Sequence, residues 1–313
     1  MAGAGSWGTA FSRVLLERGH EVVLACRSRE QAETIARTGS NPRYLPRVDL
    51  GAVEPVALAD APGDVDVVVL AVPSLVFAEV IEALPGTAPV LSLVKGLDPG
   101  TGERLSTRVG RRAVAVLSGP NIATEIAAGL PTAAVIASDD GFLAGELQHA
   151  LNSGRFRAYV NPDLIGVELC GAAKNVIALA AGAVDGLGLG DNAKASLIAR
   201  GLAEMTRLGE AAGARPETFA GLAGIGDLVV SCCSSKTRNR RAGELIAQGL
   251  VPERAVAEIG QTVEGLTTAP ILRDLSYRLR VELPITEGVC AVLSGQSITD
   301  LAAGLMGREP TEE

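Results

Sequence analysis

Five short apolar runs alternate with helix-like stretches through the first half of the chain, and this alternation constrains the fold more than any other feature. The runs are HEVVLACR (20–27), VDVVVLAVP (65–73), APVLSLVKG (88–96), AVAVLSGP (113–120) and PTAAVIAS (131–138). They are too continuous for strands with one wet face and suit a parallel sheet covered on both sides. Stretches 6–18, 29–37, 75–83 and 141–152 between them have helical character. Strand, helix, strand repetition predicts a doubly wound α/β sheet. After FRAYVNPD (156–163) the texture changes, and from Leu164 onward no strand series is visible. Segment 193–212 carries Ile198, Leu202, Met205 and Leu208 on one helical face. Pro216, Pro252, Pro270 and Pro284 punctuate further helix-sized segments. A boundary near 162 is expected, with an α/β domain over 1–162 and an all-α domain over 163–313. The tail GREPTEE (307–313) is expected to fray.

The formal net charge of −8 argues against a general binder of nucleic acid or of membrane surfaces, so any anion site must be a local cluster. No apolar run reaches the roughly 18 residues of a membrane span. The five cysteines, Cys26, Cys170, Cys232, Cys233 and Cys290, form neither a metal-ligand spacing nor a disulfide framework. A soluble, cytoplasmic protein without a metal is expected.

The stretch Gly3-Ala4-Gly5-Ser6-Trp7-Gly8 reads G-x-G-x-x-G. Alone, such a cluster also arises as a structural turn in a chain with 37 glycines. Here a helix-compatible stretch follows at once, a turn at Gly19-His20 leads into a strong strand, and the α/β pattern continues. Glycines let the backbone approach a pyrophosphate, and the helix N-terminus adds partial positive charge. Gly3, Gly5 and Gly8 are therefore candidate cofactor contacts. At the end of the next strand, Cys26-Arg27-Ser28-Arg29 stands where an NAD site usually has an acid. A guanidinium suits a 2′-phosphate, which favours NADP(H); the alternative is a solvated turn with two surface arginines.

Only Met1 and Ala2 precede this loop, whereas the motif normally follows a central buried strand. Five apolar residues there would contribute roughly 8–15 kcal/mol, comparable to the net stability of a domain. The first strand is thus expected to be missing or truncated. The natural chain would then begin upstream of Met1, or the protein would be truncated and weakened.

Three stretches look chemical. In GVELCGAAKNVIALAAG (166–182), Lys174 sits in an apolar helix, where it either snorkels to solvent or works in a cleft as a proton donor. In GLAGIGDLVVSCCSSKTRNRRAG (221–243), Asp227 is followed by Lys236, Arg238, Arg240 and Arg241, a cluster suited to a phosphate or to a solvated face, with Asn239 adding hydrogen bonds. In LVKGLDPGT (93–101) and LSGPNIATE (117–125), Lys95 and Asn121 follow strands, near the carboxyl ends where open α/β sheets bind ligands; each is equally compatible with a loop residue of no special duty.

Taken with GAGSWGTA, AVPS, KGL, LSGP, DGLGLGDNAKASLIARGLAEM, TFAGLAGIGDL, TRNRRAG and TVEG, these stretches resemble bacterial-type NAD(P)-dependent glycerol-3-phosphate dehydrogenases from end to end. The resemblance implies a Rossmann-like dinucleotide domain and a helical substrate domain. It implies reversible reduction of dihydroxyacetone phosphate by NADPH or NADH to sn-glycerol 3-phosphate, for phospholipid synthesis. It makes Lys174 the general acid and base. Lys95, Gly119, Asn121, Asp227, Thr237, Arg238 and Asn239 join Lys174 at the substrate. Ser6, Trp7, Arg27, Lys95, Ala123, Arg238 and Glu264 join Gly3, Gly5 and Gly8 at the cofactor. It implies no metal, and a homodimer that no stretch of sequence marks. Where the family has G-P-S-F-A-[KR]-E, this chain has Gly119-Pro120-Asn121-Ile122-Ala123-Thr124-Glu125. Cys170, Thr237 and Thr262 also depart from the usual residues. These departures leave open a related dehydrogenase with another small phosphorylated or hydroxy-acid substrate. The short N-terminus leaves open an inactive homologue.

Overall fold

The computed structural model describes residues 1–298, so the tail expected to fray lies outside the described residues. The first part of the chain alternates as read: α1 (Ser6–Glu17), β1 (Val22–Cys26), α2 (Arg29–Thr38), β2 (Val53–Ala57), β3 (Val68–Leu70), α3 (Phe77–Ala83), β4 (Val90–Ser92), β5 (Val114–Ser118), α4 (Ala123–Ala127), β6 (Thr132–Ala137), α5 (Gly141–Leu151) and β7 (Phe156–Asn161). Local chemistry sets the helix ends. The Ser28 hydroxyl accepts from the Gln31 amide at the start of α2, and Asp140 accepts from Phe142 and Leu143 at the start of α5. Gly39 closes α2 in the left-handed region.

The central strand position is occupied. The Ala2 amide donates to the Val69 carbonyl at 2.7 Å, and the Ala25 amide donates to Met1 at 2.8 Å. Ala2 thereby bridges in parallel to both Ala25 and Leu70. The expectation of a missing strand is corrected, while that of a truncated one stands: Met1–Gly3 alone bridges β1–β2 to β3–β7, and Ala2 is buried at the seam.

The sheet is parallel as expected except at one pair. β1–β2, β3–β4–β5 and β6–β7 pair in parallel, but β6 runs antiparallel to β5. A parallel return needs a crossover long enough to span the sheet. The β5–β6 connection holds only the five-residue α4, a rise of about 7.5 Å, and β6 returns antiparallel beside β5. Two strands were missed from the sequence. β2 contains Pro55, and β7 is an edge strand whose Arg157 and Tyr159 face outward.

Beyond β7 every element is helical: α6 (Leu164–Gly186), α7 (Gly190–Ala211), α8 (Pro216–Phe219), a π-helical turn at Leu222–Gly226, α9 (Asp227–Cys233), α10 (Arg238–Ala247), α11 (Pro252–Ile259), α12 (Glu264–Leu279) and α13 (Pro284–Leu293). Asp163 caps α6 by accepting from the Gly166 amide, and also holds the Arg215 amide and the Thr218 hydroxyl. α6 is long and apolar enough to cross a bilayer, yet 89% of its most apolar window is buried in protein. It is the core helix of this half, apolar on all sides because neighbours cover all sides. α10 crosses it in close contact. A Cβ on Gly182 would stand 1.8 Å from the Arg240 carbonyl oxygen, and one on Gly243 would stand 1.9 Å from that of Leu179. Glycines therefore set how near Lys174 and Arg238 approach.

Candidate active site

The carboxyl ends of the parallel strands present the glycine loop, Arg27, Ser74, Lys95 and the Gly119–Asn121 turn along one edge. A Cβ on Gly3 would stand 2.4 Å from the Ala71 carbonyl oxygen, and one on Gly8 would stand 1.8 Å from that of Gly3. Those glycines are required by the fold. Gly5 has open space beside it and opens α1 with no side-chain cap. Its helix N-terminus thus keeps free amides beside a surface that backbone alone defines, which fits a dinucleotide pyrophosphate. Arg27 is exposed and makes no side-chain hydrogen bond or ion pair among the described residues, whereas Arg29 is tied to Asp60 at 2.8 Å. Ala123 opens α4, which packs on α1 beside the loop.

Facing this edge, the helical half supplies Lys174 from α6 and Asp227 from the first turn of α9. Asp227 is buried and holds two ammonium groups. Its Oδ1 accepts from Lys174 Nζ at 2.9 Å, and its Oδ2 accepts from Lys95 Nζ at 2.6 Å. Lys174 also donates to the Ser231 hydroxyl at 2.8 Å, and Lys95 to the Gly119 carbonyl at 2.8 Å. Each ammonium has three protons, so each retains one beyond these contacts. Burial pulls the Lys95 ammonium down from 10.5 to about 8, against the pull of Asp227 and with the push of Lys174. Burial raises the Asp227 carboxyl, but Lys174 and Lys95 more than reverse this and hold it below the usual carboxylate range. The cleft reading of Lys174 is the one the geometry favours over snorkelling.

Two matches with known sequences cover this arrangement. Residues 1–144 match the N-terminal family model of NAD-dependent glycerol-3-phosphate dehydrogenase, and residues 163–302 match its C-terminal model. The chain belongs to the NAD(P)-dependent glycerol-3-phosphate dehydrogenase family. It is 45% identical to the glycerol-3-phosphate dehydrogenase [NAD(P)+] of Streptomyces coelicolor, over 99% of this chain and 96% of that one. It is 40% identical to the protein of that name from Shouchella clausii, with the same coverage. The crystal structure of glycerol-3-phosphate dehydrogenase from Coxiella burnetii superposes with a TM-score of 0.93 at 38% identity, covering 98% of both chains.

Within this family member the remaining site residues divide. The basic cluster is not a common phosphate grip. Lys236 pairs with Glu125 at 2.7 Å, Arg240 pairs with Asp185 at 2.6 Å, and Arg241 is shared between Glu244 and Glu258. Arg238 alone has no partner among the described residues; Glu264 and Tyr44 act on it through space. The Thr237 hydroxyl proton is committed to the Ser231 and Ser234 carbonyls. Asn239 is committed too, donating to Asn175 Oδ1 at 2.8 Å and accepting from the Gly265 amide at 2.9 Å. Its side chain orders the site. Glu264 accepts from the Ser74 amide and hydroxyl at 3.0 and 2.5 Å, joining α12 to the loop after β3.

Four residues escaped the sequence reading. Ser231 lies one helical turn after Asp227, and that i, i+4 spacing was the available signal. Asn175 follows Lys174 and donates to the Lys95 carbonyl at 3.0 Å. Ser74 lies in the quoted AVPS stretch. Gln261, which accepts from Ser6 at 3.3 Å, carries no local signal.

Proposed function

We propose that Lys174 is the proton donor and acceptor of this enzyme, with Lys95 as its companion at the substrate oxygen. The protein is an oxidoreductase that reduces dihydroxyacetone phosphate to sn-glycerol 3-phosphate with NAD(P)H, a step towards glycerophospholipids. When bound, the reduced dinucleotide supplies hydride to the ketone carbon. As the oxygen gains negative charge, the unshared proton of Lys174 passes to it, and Asp227 and Ser231 hold the amine that remains. Lys95 donates to the same oxygen without leaving the Gly119 carbonyl or Asp227. Two ammoniums against one carboxylate are the preorganised charge such a step needs. Arg238, at the first position of α10 and beside its free N-terminal amides, takes the substrate phosphate. Arg27 takes a 2′-phosphate, so NADPH is the preferred cofactor; Gly3, Gly5, Ser6, Trp7, Gly8, Ala123 and Glu264 line its path.

The two units are best divided at 1–162 and 163–313, in line with the limits of the two family models. We further read the enzyme as cytoplasmic, in keeping with five free cysteines, and as a homodimer; sedimentation tests the latter. The observation that carries the activity is the carboxylate of Asp227 shared by Lys95 and Lys174. Purified protein mixed with NADPH and dihydroxyacetone phosphate should oxidise the cofactor and yield glycerol 3-phosphate. Oxidation that is equally fast with unphosphorylated dihydroxyacetone would refute the phosphate role of Arg238.

A further inference from the structure

We propose that Asn121 recognises the free hydroxyl that the substrate carries beside its ketone, an inference that rests on the activity proposed above. Asn121 ends the turn after β5. Gly119, at φ +133°, turns the chain there and gives its carbonyl to Lys95. The Asn121 amide nitrogen donates to the Ala133 carbonyl at 3.2 Å and to the Thr132 hydroxyl at 3.4 Å. A carbonyl only accepts, and the Thr132 proton is already given to the Pro120 carbonyl. Rotating the amide would set oxygen against both, so its orientation is fixed.

That orientation leaves Oδ1 shielded from solvent with no donor among the described residues. It lies 3.6 Å from where a Cβ on Gly119 would stand, next to the carbonyl that anchors Lys95. An amide oxygen takes donors only, and buried acceptors in native proteins are paired. The chemistry of the missing partner follows by elimination. The substrate phosphate is a dianion and accepts. The ketone oxygen accepts and is met by two lysines. The hydroxyl is the donor that dihydroxyacetone phosphate has left. The Pro120 ring lies 3.8 Å from where a Cβ on Gly226 would stand, immediately before Asp227. The turn therefore packs against the segment that leads into Asp227, the carboxylate that holds both lysines. In the motif of the wider family a serine stands here, whose short rotating hydroxyl gives or takes. Asparagine held in this way takes only, and so makes the hydroxyl a requirement.

The test compares kcat/KM for dihydroxyacetone phosphate and for hydroxyacetone phosphate, which keeps the ketone and the phosphate but has a methyl in place of the hydroxymethyl group. Native enzyme should favour the hydroxylated ketone by about 100-fold or more, because a site built for a hydroxyl leaves a buried group unpaired without it. In Asn121→Ala the ratio should fall at least about tenfold, with thermal melting and NADPH binding retained. Asn121→Ser serves if the alanine variant does not fold, and its ratio should fall as well. An unchanged ratio in a folded variant overturns the proposal. So does an equal loss on both ketones with weaker NADPH binding, which would place the partner on the cofactor carboxamide. Native enzyme that reduces neither ketone overturns the activity itself, and this inference with it.

Discussion

Lys174 Nζ lies 2.9 Å from Asp227 Oδ1, and the second oxygen of the same carboxylate holds Lys95. The carboxylate comes from the helical half and Lys95 from the sheet. Substrate chemistry is thus tied to how the two halves meet. One carboxylate cannot neutralise two ammoniums, and the unshared charge is offered to an oxygen that becomes an alkoxide.

Replacing Lys174 by alanine should remove the proton donor and leave the glycine loop untouched. Turnover should drop by about 10²–10⁴-fold, while the rise in melting temperature on adding NADPH persists through binding linkage. Retained turnover would assign the proton to another group.

Asp227→Asn should move the pH profile in a defined direction. Lys95 titrates at about 8 in the native site, and Asp227 is the partner that raises it. Without that negative charge the ammonium is harder to keep, and its pKa falls below about 8. Substrate capture depends on the charged form. It is present below the pKa and lost as pH rises through it, so the alkaline limb of kcat/KM should shift to lower pH. A profile that moves upward, or stays in place, would contradict the assignment of Lys95.

Arg238 and Lys236 separate a phosphate ligand from a surface cation. Arg238→Ala should raise KM for dihydroxyacetone phosphate by about 10- to 100-fold, the cost of losing a charged hydrogen bond. Lys236→Ala removes an exposed pair with Glu125 and should change KM less than about threefold. Equal effects would restore the four-residue cluster as the grip.

Much of this site was legible because its residues lie in long local stretches. The glycine loop, Lys95, Lys174 and Asp227 each sit where their surroundings in sequence are unusual. The pairing of those surroundings was not legible. Arg240 and Arg241 look like phosphate ligands beside Arg238, yet their partners, Asp185, Glu244 and Glu258, spread over three helices. That so short a segment could still hold the central position was not legible for a related reason. Hydrophobic bookkeeping counts side chains, while Met1–Gly3 joins the sheet through backbone hydrogen bonds that any residue can make. The reversal of β6 was hidden because apolar runs carry no direction.

Arg27→Ala tests the cofactor reading. Its guanidinium is exposed at the end of β1, and Arg29 is occupied by Asp60. Loss of a charge-assisted contact to a 2′-phosphate should weaken NADPH by about tenfold or more and leave NADH nearly unchanged. Equal weakening of both would make Arg27 a structural residue of the turn.

The crossing of α6 and α10 gives the last test, and it separates packing from helix propensity. A methyl on Gly243 would meet the Leu179 carbonyl oxygen at 1.9 Å and its carbon at 2.8 Å. Backbone cannot rotate away as a side chain can, so Gly243→Ala must push the helices apart. The cost should be at least about 1–3 kcal/mol, as for other overpacked interiors. Because α10 begins at Arg238 and α6 carries Lys174, the displacement should also raise KM for substrate. Gly145, inside α5, has nothing within 4 Å of its absent Cβ. There the same change should stabilise by about 0.5–1 kcal/mol through helix propensity alone and leave KM unchanged. Melting curves and KM values for the two variants check both halves of the argument. A Gly243→Ala enzyme with native KM and native melting would mean that the close crossing does not set the distance between the catalytic lysine and the phosphate ligand.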